Sequence, residues 1–318
     1  MPTVTLARHA MATRFEVLLH GPDATFLRAA GEEALDEIDR LENQLSLYRP
    51  ESEISRVNAL AAREPVRVSP ATFGLLRRAA DLSRETGGAF DVTVAPLVRC
   101  WGFMGGDGKI PNPEELAHAR DSVGMNLVEL DERNFTVRFL RKGVMIDLGA
   151  IGKGYALDRA AEILREAGVT SALLHGGTST ICAIGHPPEA EAWKLAIEPP
   201  GPELSGGRTE SPVTLFLRDE SLSVSAIWGR SFREGGKLYG HVLDPRTFCP
   251  VDDTLLAAVV LPSAAESDSL STALLVIGEK GHAQIAQLRR GIRTLGVARE
   301  AAEGGFWHYF GNIEPKGR

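Results

Sequence analysis

Three short stretches carry residue types able to do chemistry. In "MIDLGAIGKGYALD" (Met145–Asp158), an acid, Asp147, and a lysine, Lys153, flank small residues where an apolar run gives way to helical periodicity. Small residues let a ligand approach the backbone, the N–H groups of a helix start attract an anion, and Lys153 adds a full positive charge, so the stretch is suited to a phosphate. It is not a nucleotide P-loop, which would need glycine at Asp147 and a hydroxyl residue at Gly154, and it contains no G-x-G-x-x-G dinucleotide fingerprint. A tight strand-to-helix turn with a solvated lysine accounts for the same residues equally well. In "SDSLSTALLVIG" (Ser267–Gly278), Asp268 and Thr272 stand four residues apart on one helix face. A carboxylate and a hydroxyl so placed can share a hard cation such as Mg²⁺. Taken alone, an acid offsetting the helix dipole beside an ordinary threonine is the simpler reading. "YGHVLDPRTFCP" (Tyr239–Pro250) holds His241, whose ordinary pKa near 6.5 suits a general base but which is equally acceptable as a hydrogen-bonded core residue. Asp244-Pro245 reads first as a turn.

The elements that must position these residues follow from periodicity. Arg14–His20 reads as a strand, and Ala24–Leu45 as an amphipathic helix with Leu27, Ala30, Ala34, Ile38, Leu41 and Leu45 on one face. Ser46–Asn58 is polar, is broken by Pro50 and reads as a loop; Pro70–Thr86 returns to helix; Gly87–Val98 reads as a glycine turn into a short extended run. Between Asn126 and Gly149 "NLVELD", "FTVRFL" and "VMIDLG" suggest strands, followed by a helix over Tyr155–Ala167. Ala172–Gly185 reads as two strands with a glycine break. Further strands are expected around Val213–Leu217, Leu222–Ala226, Leu238–Leu243 and Leu256–Leu261, then helices near Ala264–Ile277 and His282–Arg290 and an extended tail. No fixed-period repeat is present. Strands in runs with irregularly interposed helices make the expected class α+β. One catalytic unit spanning 1–318 is expected, divisible into two sub-domains, with glycine- and proline-rich connections near 104–113 and 199–207.

Composition narrows the function classes. The 318 residues, 43% hydrophobic and 24% charged, suffice for a substantial core. A formal net charge of −7 argues against nucleic-acid binding as the main task and leaves room for a local anion pocket. No apolar run is long enough for a membrane span, and Arg8, His9, Arg14 and Glu16 stand where a signal peptide would be apolar, so a cytoplasmic location is expected. Cys100, Cys182 and Cys249 are widely spaced, form no C-x-x-C pair, and are expected to be buried thiols.

Taken in order, "MATRFEV", "SLYRPESEISRVN", "TGGAFDVTVAPLV" with "WGF", "IDLGAIGKGYALD", "HVLDPRT" and "ESDSLSTALLVIG" resemble the ApbE family, the FAD:protein FMN transferases, from Met11 to about Gly278. The resemblance implies an α+β, T-fold-like arrangement of mixed sheets with a cofactor cleft between sub-domains. It implies Mg²⁺ on the FAD pyrophosphate and transfer of FMN to a threonine or serine hydroxyl of an acceptor protein, with release of AMP. It places Asp147, Lys153, Met11, Tyr48, the Ala89, Phe90 and Asp91 segment, and Val242 in contact with the flavin nucleotide. Ala150 (through its backbone carbonyl), Asp268 and Thr272 fall at metal-ligand positions and His241 at that of the base. The sequence departs from the family pattern at Thr178, where an acidic or amide residue is usual after the two glycines, at Trp228 within "VSAIWGRSF", and at Phe248, where a D-P-x-T-G turn would end in glycine. Two other activities suit the same residues: hydrolysis of FAD to FMN and AMP, and flavin binding or sensing without catalysis.

Overall fold

The computed structural model describes residues 1–201, 211–300 and 307–314, so most of the linker-like stretch expected at 199–207 lies outside the described residues. The chain forms two compact units, the first made of Met1–Glu42, Ile151–Ser225 and Thr254–Arg318, the second of Asn43–Ala150 and Ala226–Asp253. The glycine-rich stretch 104–113 lies within the second.

The first unit is built on an eight-stranded sheet in the spatial order Thr3–Ala10, Thr13–His20, Ala172–Gly176, Thr180–Ile184, Ser221–Ala226, Thr254–Leu261, Arg293–Arg299 and Trp307–Gly311. The first five strands pair antiparallel in succession, as do the last three. Thr254–Leu261 is buried at every residue, as its unbroken apolar run requires of a strand covered on both faces. The helix Ala24–Leu45 has the expected bounds and buries all six of its predicted inward residues. The helices Gly152–Glu166 and Ala264–Ala286 pack on one another, and both contact the sheet. The second of them breaks at Gly278 (φ 68°, ψ −167°), the division expected between its two halves. A separate hairpin, Trp193–Ile197 with Val213–Leu217, stacks Trp193 on His20 at 5.6 Å between ring centroids.

The second unit combines the helices Glu53–Leu60, Pro70–Glu85, Ala95–Cys100 and Pro113–Arg120 with the sheet Val66–Arg67, Thr136–Phe139, Val128–Asp131 and the hairpin Ser231–Glu234/Lys237–Gly240. Its apolar centre includes Leu97, Trp101, Phe103, Ala119 and Leu243, against which Phe232, Tyr239 and Phe248 pack.

The mixed α+β expectation holds, with four local corrections. Glu53–Leu60 is a helix where a loop is expected, because Ser52 caps it by accepting from the Ser55 N–H (2.9 Å) and only Ile54 and Val57 turn inward, too few to show as periodicity. Val92, Thr93 and Val94 do not extend as a strand. The Asp91 carboxylate accepts from the Thr93 N–H (2.8 Å) and hydroxyl (2.6 Å), folding the chain back into the helix Ala95–Cys100. "VMIDLG" runs without a strand neighbour; the Asn58 side chain binds both the N–H (2.7 Å) and the carbonyl (2.9 Å) of Ile146, and the Asp147 N–H donates to Val92 (2.7 Å). Of the three thiols, only Cys182 is buried, and Cys249 is exposed.

Burial holds the imidazoles of His20, His175 and His282 below the usual histidine range, whereas the unfolded chain titrates near 6.5. Below that pH the unfolded chain takes up protons that the native imidazoles refuse, so stability is lost as pH falls through the window beneath 6.5. The thermal midpoint is expected to drop from pH 7.5 to pH 5.5, and part of the drop to disappear in His175→Gln. A flat profile across that range contradicts the assignment.

Candidate functional site

In the first unit, the helix Gly152–Glu166 starts behind Ile151, which supplies no side-chain cap. Its first turn is tied to the other reactive helix. The Gly154 N–H donates to Asp268 Oδ2 (3.1 Å), and Lys153 Nζ lies 3.7 Å from the same oxygen. Asp268 is only 3% exposed, and among the described residues its Oδ1 receives only long contacts, from the hydroxyls of Ser223 (3.3 Å) and Thr180 (3.5 Å). One turn along, the Thr272 hydroxyl donates to the Asp268 carbonyl (3.2 Å) and stands 3.2 Å from Ser225 Oγ. The structure thus brings Lys153, Asp268 and Thr272 together in an oxygen-rich, largely buried setting.

Two features fix this geometry. The Asp158 carboxylate, on the Lys153 helix, accepts from Ser263 Oγ (2.7 Å), the Ala264 N–H (2.7 Å) and the Ala265 N–H (3.0 Å), capping the start of the Asp268 helix. Burial pushes this carboxyl above its ordinary range, and those three bonds oppose the shift. Gly154 allows the close approach: a Cβ there would stand 2.2 Å from the Ala264 carbonyl oxygen. Sequence reasoning gave no role to Asp158, Thr180, Ser223 or Ser225, since each meets its partner only through tertiary contacts.

Met11 and Ala12 form the two-residue loop of the hairpin Thr3–Ala10/Thr13–His20, and both have positive φ (50° and 57°). That is the backbone of a type I′ turn, ordinarily supplied by asparagine and glycine. Thr178 is exposed in the turn that follows Gly177.

In the second unit, Asp147 Oδ1 accepts from the Gly149 N–H (2.8 Å), shaping the turn that contains Ala150. Tyr48 is 64% exposed; partial burial of its hydroxyl and then the Asp147 charge raise its pKa. Ala89, Phe90 and Asp91 are buried. The Asp91 carboxylate accepts from Thr93, Met125 and Ser83, and burial pushes it upward despite these bonds. His241 Nδ1 lies 3.1 Å from the Arg230 carbonyl. A carbonyl only accepts, so Nδ1 carries the proton and Nε2 is the basic nitrogen. Val242 is half-buried, and its carbonyl accepts from the Val251 N–H (3.0 Å). Asp244 is a turn residue, holding Arg246 through paired bonds of 2.9 Å. Phe248 keeps the left-handed backbone of the usual glycine (φ 65°), its carbonyl accepts from Trp101 Nε1 (3.0 Å), and Arg120 lies over its ring at 5.0 Å.

Among the described residues, no group of three histidine, cysteine, aspartate or glutamate residues forms a metal cluster. The donor set at Asp268 and Thr272 is instead one carboxylate with hydroxyl oxygens, suited to a hard cation that keeps other oxygens in its shell.

A broad sheet of two antiparallel runs, with a lysine-bearing helix start set against a buried carboxylate, makes this an α+β protein. The model of the ApbE family matches residues 11–295, and the chain belongs to that family. It is 30% identical over 294 residues to an FAD:protein FMN transferase of Haemophilus influenzae, covering 89% of this chain and 83% of the relative. It is also 30% identical over 260 residues to one of Vibrio cholerae, covering 79% and 75%. Among solved structures, the ApbE protein of Thermotoga maritima superposes with a TM-score of 0.84 at 26% identity, covering 96% of both chains. The flavinyl transferase ApbE of Pseudomonas stutzeri gives 0.83 at 28% identity, covering 98% and 95%.

Gly154→Ala is expected to lower stability by about 2 kcal/mol or more, because the added methyl meets backbone and not a movable side chain. Denaturant unfolding measures it; a loss under about 0.5 kcal/mol would show that the two helices separate freely.

Proposed function

We propose that the chain is an Mg²⁺-dependent FAD:protein FMN transferase. The observation that carries this reading is the buried, under-coordinated Asp268 carboxylate beside Lys153, in a chain related along most of its length to proteins named for that activity. Asp268 and Thr272 are the side-chain metal ligands. The Ala150 carbonyl, one residue ahead of the helix-capping Ile151, is the backbone ligand. The bound ion supplies positive charge against the pyrophosphate. Lys153 adds a second charge, and Asp147, Tyr48, Met11, Val242 and the 89–91 segment hold the flavin nucleotide.

His241 Nε2 takes the proton of an acceptor threonine or serine hydroxyl. That oxygen bonds to the phosphorus of the FMN half, the bridging P–O bond to AMP breaks, and AMP leaves with the bridging oxygen. Catalysis on this scheme consists of positioning and charge neutralisation, the main requirements of phosphoryl transfer.

The test is incubation with FAD, Mg²⁺ and a candidate acceptor protein. The acceptor is expected to gain the mass of FMN while AMP accumulates. Free FMN with an unmodified acceptor would show hydrolysis instead, and intact FAD would remove the enzymatic reading. Asp268→Ala is expected to cut turnover by about 100-fold or more and to abolish its dependence on Mg²⁺. Unchanged Mg²⁺ dependence in that variant would show that Asp268 is not a ligand.

A further inference from the structure

The second unit contains a cavity of about 300 Å³ whose walls come from three stretches of chain: the end of the helix Glu53–Leu60 and the turn after it, the helix Ala95–Cys100, and the segment 142–145. Each stretch contributes a cation, respectively Arg63, Arg99 and Lys142, and among the described residues no carboxylate lines the space. Among the described residues, none of the three forms an ion pair, in a chain where acids outnumber bases 42 to 35. Arg99 is held through a soft contact, Nη2 lying 3.1 Å from Met145 Sδ.

The backbone of this wall is also rich in donors. The N–H groups of residues 142–145 donate no hydrogen bond to any described residue. Gly143, at φ 96° and backed by Ser122 Oγ, bends the chain there. Cations from three stretches of chain and backbone N–H groups without an acceptor are the elements of an anion receptor. Guanidinium groups favour the planar oxygen pairs of phosphate or carboxylate. Three cations call for more than one negative charge. Ala59, Ala62 and Val144 supply apolar wall for an organic portion. The volume lies at the lower end of the range for small-molecule pockets.

We propose that this cavity binds a small organic phosphate carrying at least two negative charges. None of its lining residues belongs to the proposed transfer site, and the proposal stands whether or not that reading does. The test is calorimetric titration of the full-length protein, in EDTA and low salt, with phenyl phosphate, inorganic pyrophosphate and phenol. Both phosphates are expected to bind with sub-millimolar affinity and phenol not to bind. Arg99→Gln/Lys142→Gln is expected to weaken both phosphates by about tenfold or more. Arg67→Gln/Arg138→Gln removes the same charge from exposed positions elsewhere in the unit and is expected to change binding less than about twofold. All four side chains are exposed, and unchanged melting of the variants confirms intact folding. Absence of binding by wild type at about 10 mM ligand, or equal weakening in both double variants, overturns the proposal. Tighter binding of a hexaglutamate peptide than of either phosphate overturns the choice of ligand and makes the cavity a dock for an acidic segment.

Discussion

The contact on which the first unit's chemistry depends is the approach of two helix starts. The helices Gly152–Glu166 and Ala264–Ala286 meet where Gly154 faces the Ala264 carbonyl with no room for a side chain, and Asp158 caps the second from a position one turn further along the first. A helix start leaves several N–H groups without intrahelical partners, and an acid there satisfies them while its charge opposes the dipole. Partly burying Asp158 is costly, as its upward-shifted pKa records, and three bonds of 2.7–3.0 Å offset that cost. The same contact sets Lys153 and Gly154 beside Asp268.

Three aspartates, Asp91 and Asp268 buried and Asp158 half-buried, differ in how fully protein donors satisfy them. Asp91 takes bonds from Thr93, Met125 and Ser83, and Asp158 takes three short ones; both are saturated by protein donors. Asp268 has one backbone donor at 3.1 Å, a lysine at 3.7 Å, and hydroxyls no closer than 3.3 Å. Ordinary hydrogen bonds to carboxylates are shorter than the hydroxyl contacts, so Oδ1 keeps capacity for another electrophile. Hydroxyl neighbours suit this role because they can turn their protons away and offer oxygen instead.

Much of this was legible in the sequence, for reasons that differ from element to element. The helix Ala24–Leu45 shows its bounds because six inward residues recur at helical steps, and Asp268 with Thr272 can be paired because four residues make one turn. The roles of Asp147 and Tyr48 came from family resemblance, since no local pattern distinguishes them from ordinary packing, and His241 read locally as a base and as a core residue equally well. What escaped is non-local. The clamp of Asn58 on Ile146 joins residues 88 positions apart, and Asp158 reaches across more than 100 to its helix cap. Local side-chain bonding also overrode propensity: the β-branched run Val92–Val94 reads as strand until Asp91 is seen to gather the Thr93 N–H and hydroxyl into a turn.

Left-handed backbone is carried by several residues other than glycine. Left-handed φ at Met11, Ala12 and Phe248 costs free energy that glycine or asparagine would avoid. At Phe248 the cost has a visible local return: the turn keeps the conformation of the glycine it replaces, Trp101 bonds its carbonyl, and Arg120 covers its ring. Met11 and Ala12 show no such compensation among the contacts of their turn. Strain of this kind persists where the surrounding strands over-determine the turn, as the unbroken register of Thr3–Ala10 with Thr13–His20 does here.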